Sequence, residues 1–246
     1  MKHLLFSALL GVCVTACSAD GAAPASGGEA GVAGASSTDG RTTSFARVEQ
    51  GEILGVGVIV PVKSFEDVPD DDPAFDSSVG LEMPSSVRDQ TFIQLLRVNW
   101  LPTGHGPGPY TAPHFDLHFY RGTKEEVTAI SCTDSSPFPA EVLADGYETP
   151  STCVPGMGFH AWPSTDIETN TFTASIVLGY AAQRMVFIEP MITTEWLLAR
   201  QSFERDITRP ASAGGETTLY PSHLTATYSS ASDTYELEFN QFEPID

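Results

Sequence analysis

The chain has 246 residues, with 12 Lys and Arg against 32 Asp and Glu, which gives a formal net charge of −20. A chain of this length can bury a substantial core as one large domain or two small ones. The strong negative charge repels phosphate backbones and no basic cluster interrupts it, so we expect no nucleic-acid binding.

The first 16 residues have the features of a bacterial signal peptide. A short basic start precedes the apolar run LLFSALLGVCV, which is too short for a stable membrane span and suits a signal-peptide core. The following residues VTAC resemble a lipobox, in which Cys17 becomes the lipid-modified, palmitate-bearing first residue of the mature chain. We therefore predict a signal peptide over 1–16 and a membrane lipid anchor at Cys17. The alternative is ordinary cleavage that leaves Cys17 as a free thiol.

Residues 17–44 are nearly all small or polar, with many Gly, Ala and Ser. Such a segment has too little bulky apolar surface to pack, so we predict a flexible linker between the lipid and the folded domain. Ser18 directly after the lipidated cysteine resembles the pattern of lipoproteins sorted to an outer membrane. We expect a cell-envelope protein, in the outer rather than the inner membrane if the cell has two.

Four cysteines are present, of which Cys13 leaves with the signal peptide and Cys17 carries lipid. Cys132 and Cys153 then remain as a pair in an oxidising compartment, which predicts a disulfide. A metal site built on this pair is the weaker alternative, because no two further thiolates lie nearby.

From residue 45 the sequence alternates strand-like runs with Pro, Gly and Asp. Strands are predicted at 53–62, 92–101 and 113–120, with hairpins formed by 173–180 and 185–192 and by 223–230 and 234–242. Short helices are predicted at 193–203, which opens with Thr and carries an early Glu, and near 124–130. Residues 45–246 are therefore predicted to form one all-β or β-rich domain, a sandwich or a barrel-like fold with one or two short helices.

The stretch PHFDLHFY places polar side chains at every second position of a predicted strand. Alternate side chains share one face of a strand, here His114, Asp116, His118 and Tyr120. His114 and His118 are about 13 Å apart along an extended strand, so one metal ion cannot easily bind both. His114 with Asp116, or Asp116 with His118, could bind one ion together.

Three further segments carry residues suited to the same chemistry. His105 lies in the Pro and Gly loop NWLPTGHGPGPY, His160 in PGMGFHAW, and Glu189 inside the apolar strand FIEPM. A carboxylate in an apolar strand is costly to bury alone, so Glu189 requires a histidine or a metal as its partner. We therefore predict that five side chains converge on one metal-binding pocket, with His105 and Tyr120 contributing to it: His114, Asp116, His118, His160 and Glu189.

Three segments together carry a resemblance to a known family. The runs GHGPGPYTAPHFDLHFY, VPGMGFHAW and MVFIEPMIT, in this order and spacing, resemble the TTHB210-like family, also described as the domain of unknown function DUF5602. The resemblance covers approximately residues 50–245. It implies a β-rich domain prone to symmetric homo-oligomers, and it implies no established reaction.

Three functions are compatible with these patterns, and whether the protein is an enzyme stays open. The first is a catalytic or binding metal site, since histidine and carboxylate ligands suit zinc, manganese or iron and an open position would activate water. The second is a non-enzymatic structural or oligomeric envelope module, in which the same residues form a buried hydrogen-bond network. The third is a pocket for a small apolar ligand. No GxSxG, Walker, GxGxxG or HExxH motif identifies a catalytic residue.

Overall fold

The computed structural model describes residues 31–36, 42–71, 80–134 and 136–246, with side chains from residue 42 onward. The strands are β1 (Gly31–Ser36), β2 (Thr43–Glu49), β3 (Glu52–Pro61), β4 (Leu81–Glu82), β5 (Ile93–Leu101), β6 (His114–Arg121), β7 (Thr152–Val154), β8 (Gly158–Ala161), β9 (Ala174–Ala181), β10 (Arg184–Thr193), β11 (Phe203–Asp206), β12 (Thr218–Ser229) and β13 (Thr234–Ile245). The helices are α1 (Ser85–Arg88), α2 (Lys124–Thr128), α3 (Ser164–Thr169) and α4 (Thr194–Leu198), with 3-10 turns at Val62–Phe65 and Ala140–Val142.

The strands form two antiparallel sheets. The first sheet has the order β1-β2-β3-β13-β12-β11 and the second has the order β4-β5-β6-β10-β9-β8-β7. The main core lies between them, where Phe119 of β6 meets Phe239 of β13 with 4.7 Å between ring centroids. This arrangement confirms the predicted β-rich fold and is that of a sandwich.

The outward face of the second sheet is also covered. A smaller apolar cluster there includes Tyr110, Val127, Trp162 and Phe187. These residues come from the loop between β5 and β6, from α2, from the segment after β8 and from β10. The central strands of the second sheet, β6, β10 and β9, are therefore buried on both faces, and the polar side chains of β6 lie on this outward side.

Both predicted hairpins are confirmed. The strands β9 and β10 join through Ala182 and Gln183, which have φ values of 47° and 64°. Positive φ at both central positions is the geometry of a type I′ turn, whose twist matches the flanking strands. The second hairpin pairs β12 with β13 from Thr218 opposite Ile245 to Ser229 opposite Thr234.

The helix predicted at 193–203 is much shorter than expected. Thr193 caps it by accepting a hydrogen bond from the backbone N–H of Trp196, but α4 ends at Leu198 and Arg200 has a φ of 57°. The chain then forms β11 instead of continuing the helix. The short helix predicted near 124–130 is confirmed as α2, which begins with a capping box between Thr123 and Glu126.

The flexible linker predicted at 17–44 is wrong in its last part. Residues 31–36 form β1, which pairs with β2, and β2 itself begins at Thr43 rather than at residue 45. Pairing along a sheet edge uses backbone hydrogen bonds, so small side chains do not prevent it. Residues 1–30, with the predicted signal peptide and Cys17, lie outside the described residues.

Cys132 and Cys153 form the predicted disulfide, with Cα atoms 5.8 Å apart. It connects the segment after α2 to β7, the edge strand of the second sheet. Closing a loop of this size stabilises the fold by about 3 kcal/mol on the chain-entropy model. Within the described part of the chain, no helix has the length and apolar character needed to span a membrane.

Candidate metal centre

The strand β6 sends its side chains alternately to the two faces of the second sheet. Phe115, Leu117 and Phe119 enter the core between the sheets, while the alternate residues of β6, including His118 and Tyr120, point to the outward side. His114 is 0 %, Asp116 5 % and His118 1 % exposed. Polar side chains this deeply buried require partners.

Strand register brings Glu189 next to His118. β10 pairs with β6 so that Ile188 lies opposite Phe119 and Met191 opposite Asp116, and this register sets Glu189 opposite His118. Glu189 is 1 % exposed. The carboxylate that appeared isolated within an apolar strand therefore lies beside a histidine of the neighbouring strand.

A glycine lets His160 approach from two strands away. Gly179 of β9 lies between His160 of β8 and Phe187 of β10, and it pairs with both residues. A Cβ at Gly179 would overlap the Phe187 ring, so the ring occupies the space that a side chain would fill. The His160 and Phe187 rings are in contact, with centroids 5.0 Å apart. His160 thereby reaches Glu189 across β9.

His118, His160 and Glu189 form a group that we call the inner triad. The Nε2 atom of His118 is 3.2 Å from Oε1 of Glu189, and Nε2 of His160 is 3.9 Å from Oε2. One ligand atom from each residue lies within 4.8 Å of the other two, and all three residues are buried. Two imidazoles and a carboxylate in this arrangement form a ligand set suited to a divalent transition metal.

His105, His114 and Asp116 form a second group, the outer triad. The Nε2 atom of His114 is 3.1 Å from Oδ1 of Asp116, and Nε2 of His105 is 3.6 Å from Oδ2. The His105 side chain is 29 % exposed, so this triad reaches the surface. Its three ligand atoms also lie within 4.8 Å of one another.

The structure thus brings the five predicted ligands to one side of the second sheet, but in two groups rather than one pocket. The separation of His114 and His118 along β6 causes the division, and His105 joins the group of His114. Tyr120 contributes to neither triad. Its ring stacks on His118 with 5.3 Å between centroids and 6° between planes.

Many buried polar atoms of the two triads have no hydrogen-bond partner among the described residues. In the inner triad these atoms are both ring nitrogens of His118, Nδ1 of His160 and Oε2 of Glu189. In the outer triad they are Nε2 of His114 and Oδ1 of Asp116. Each unsatisfied buried group costs about 1–3 kcal/mol, so these atoms are expected to serve another purpose.

Backbone carbonyls determine the tautomers of the outer triad. Nδ1 of His114 lies 2.7 Å from the carbonyl oxygen of Ala112, and Nδ1 of His105 lies 2.8 Å from that of Gly106. A carbonyl can only accept, so each Nδ1 carries the proton and donates it. In a neutral imidazole the lone pair is then on Nε2, the atom that faces Asp116.

Burial shifts the pKa values of the inner triad toward uncharged side chains. It lowers the pKa of His118 to about 3 and that of His160 to about 4. Burial also raises the pKa of Glu189 well above its usual value, and the nearby Asp116 carboxylate adds to this shift. Neutral histidines are the form that binds metal ions.

The pKa of Asp116 is shifted in the opposite direction to that of Glu189. Burial alone would raise the pKa of Asp116, but the adjacent imidazoles of His105 and His114 outweigh it and hold the pKa below its usual range. The same contact with Asp116 raises the pKa of His105, against the opposing effect of burial. Asp116 is therefore an anionic carboxylate that could bind a metal ion, and its two oxygens face two imidazoles.

Aromatic side chains that sequence reasoning missed cover the two triads. The Trp162 ring stacks on His160 with 5.5 Å between centroids and contacts Tyr110 at 5.0 Å. The hydroxyl of Tyr110 donates to Oδ2 of Asp166 in α3, which also accepts from Ser175. These contacts hold the loop before β6 onto the sheet.

Arg97 is a second residue that sequence reasoning did not identify. It lies opposite His118 in the β5–β6 register and is 4 % exposed. It donates to the carbonyl of Gly156 at 3.3 Å and to Oγ1 of Thr128 at 2.9 Å, and it has no salt bridge among the described residues. Its positive charge is close enough to His118 to help lower the pKa of that imidazole.

Comparison with known protein families, with curated proteins and with solved structures finds no match to this chain. The resemblance to the TTHB210-like family therefore stays a prediction.

Proposed function

We propose that this protein is a lipid-anchored envelope protein whose β-sandwich binds a divalent transition metal ion, such as zinc, in the inner triad. One observation carries the proposal: two imidazoles and one carboxylate converge at ligand distance while several of their polar atoms lack protein partners. A metal ion would satisfy ring nitrogens and carboxylate oxygens together.

The spacing of the ligand atoms supports a small ion. Two ligands bound tetrahedrally at about 2.0 Å from zinc are about 3.3 Å apart. The distance of 3.2 Å from Oε1 of Glu189 to His118 is close to that separation, and the distance of 3.9 Å from Oε2 to His160 is somewhat longer. Two histidines and a glutamate are also a ligand set of zinc sites that keep a fourth position for water.

The alternative is a structural module in which the same residues form a hydrogen-bond network. Such a network is favourable only when its members are satisfied. Nε2 of His118 lies near the Glu189 carboxylate without forming a hydrogen bond, and its Nδ1 has no partner among the described residues. This geometry favours the metal over the network.

The deep burial of the inner triad suggests how its ion would behave. All three side chains are at most 7 % exposed, so an ion there would be shielded from bulk solvent. Such an ion would be held stably and would stabilise the fold. The homo-oligomer and the small-molecule ligand expected from the sequence stay predictions.

Metal analysis of the detergent-solubilised full chain tests the proposal. We expect zinc to raise the melting temperature of the chelator-treated protein, and His118→Ala or the isosteric Glu189→Gln to abolish that rise. His223→Ala is the matched control, because His223 lies near two carboxylates, Asp206 and Glu204, on the other sheet. Absence of stoichiometric metal together with an unchanged melting temperature would support the network instead.

The lipid anchor is a separate part of the proposal and rests on the sequence around Cys17. Replacing Cys17 by Ser should release the protein from the membrane fraction. Cys13→Ser is the control, since Cys13 lies within the predicted signal peptide and its loss should leave the protein membrane-bound. A Cys17→Ser variant that still sediments with membranes would refute the anchor.

A further inference from the structure

The outer triad offers the same ligand types as the inner triad but extends to the surface. We propose that the outer triad is a second site for a divalent transition metal ion, which exchanges with solvent, so that the protein binds two ions. The kind of ion rests on the proposed function of the inner triad. The geometry of the outer triad supports a site independently.

In the outer triad, hydrogen-bond acceptors face one another. Because the Nδ1 atoms of His105 and His114 donate to backbone carbonyls, each ring, when neutral, directs its Nε2 lone pair at Asp116. The oxygens of Asp116 are acceptors too, and Oδ1 has no hydrogen-bond partner among the described residues. Lone pairs facing each other at 3.1 Å repel unless a proton or a metal ion lies between them, and a metal ion bound there would replace the proton.

The distances again fit a small cation. The two oxygens of Asp116 each face a different histidine, at 3.1 Å and 3.6 Å. These values are close to the separation of about 3.3 Å expected between neighbouring ligands of tetrahedral zinc. The carbonyls of Ala112 and Gly106 orient the rings, which is the usual arrangement behind metal-binding histidines.

The loop before β6 gives the outer triad its access to solvent. His105 is held by its own backbone N–H, which donates to the carbonyl of Tyr110 at 2.7 Å. Tyr110 is buried and bonded to α3, whereas the His105 side chain is 29 % exposed. The loop is thus fixed from inside while one ligand faces water, so an ion bound here would exchange more readily than one in the inner triad.

The two sites are close enough to influence each other. Asp116 is two residues from His118 on the same face of β6, and its charge acts on the buried Glu189. Two dications near a buried Arg97 carry more positive charge than two carboxylates neutralise. We therefore expect the second ion to bind more weakly than the first. A solvent-facing ion with bound water is also the arrangement that activates water for hydrolysis.

Cobalt(II) titration of the metal-free, detergent-solubilised full chain tests the inference, because cobalt absorbance and elemental analysis report each equivalent. We expect two equivalents in the wild type, one tight and one weak. His105→Gln and Asp116→Asn should each remove the weak equivalent and keep the tight one. His118→Gln should remove the tight one, and His223→Gln should remove neither.

The outcomes separate the two proposals. A single tight equivalent that persists in His105→Gln would overturn the second site and leave the proposed function standing. A single equivalent that is lost in His105→Gln but kept in His118→Gln would overturn the proposed function and leave the outer site. Loss of all binding in both variants would indicate one shared site and overturn the two-ion centre, as would the absence of binding in the wild type.

Discussion

Glu189 and His118 face each other on adjacent strands, with 3.2 Å between Oε1 and Nε2 and 1 % exposure of each side chain. Neither lies in the core between the two sheets. They are buried instead beneath the aromatic residues that cover the outward face of the second sheet. A polar centre is therefore enclosed by the fold without interrupting the main core.

Gly179 is the residue that allows the inner triad to form. Gly179→Ala should destabilise the protein by about 1–3 kcal/mol, because the new methyl group overlaps the Phe187 ring. It should also weaken metal binding, since Phe187 contacts His160. Chemical denaturation and zinc titration would measure the two effects.

A second substitution tests whether steric overlap with the Phe187 ring causes the loss of stability in Gly179→Ala. Phe187→Leu in the Gly179→Ala background should recover part of the lost stability, because the ring that clashes is gone. If the double variant is as unstable as the sum of both single variants, the overlap is not the cause.

Tyr120 and Tyr235 provide a matched pair of buried hydroxyl groups. The hydroxyl of Tyr235 donates to the carbonyls of Leu197 and Gln201, whereas that of Tyr120 has no partner among the described residues. In metal-free protein, Tyr235→Phe should lower the free energy of unfolding by about 0.5–1.5 kcal/mol. Tyr120→Phe should change it little or raise it. A larger loss for Tyr120→Phe than for Tyr235→Phe would contradict the assigned contacts.

Glu189 predicts a pH dependence for metal-free protein. Burial raises its pKa in the folded state above the unfolded value of 4.5. A raised carboxyl pKa favours folding fully at pH values below 4.5, and this contribution is lost as the pH rises toward the folded pKa. Metal-free Glu189→Gln should therefore match the wild type near pH 4 and exceed it in stability at pH 7.

Zinc should make the wild type more stable than Glu189→Gln at pH 7, because only the wild type retains the carboxylate ligand. Denaturant titrations of both proteins at the two pH values, with chelator or with zinc, would measure the crossover. Equal stabilities at pH 7 under both conditions would show that Glu189 neither carries a raised pKa nor binds the ion.

The sequence predicted the parts of the fold that depend on local patterns. The alternation of β6 follows from a period of two, so the common face of His114, Asp116 and His118 could be inferred without a structure. The two apolar runs at 173–180 and 185–192 predict the hairpin between β9 and β10, although its turn is two residues shorter than their spacing indicates. Both features depend only on residues close together in the chain.

The remaining features depend on pairing between distant segments. The position of Glu189 opposite His118 depends on the β6–β10 register, which no local pattern specifies. The grouping of His105 with His114 depends on how its loop folds back over the sheet. Gly179 offered one signal, since a glycine inside a strand often marks a close approach by another group.

Anomalous X-ray diffraction from crystals of zinc-loaded protein tests the central claim most directly. Data collected on both sides of the zinc absorption edge should give a peak about 2.0–2.2 Å from Nε2 of His118, Nε2 of His160 and a carboxylate oxygen of Glu189. A second, weaker peak is expected at the outer triad. Crystals that give no zinc peak within the inner triad, or a peak only at His223, would contradict the account.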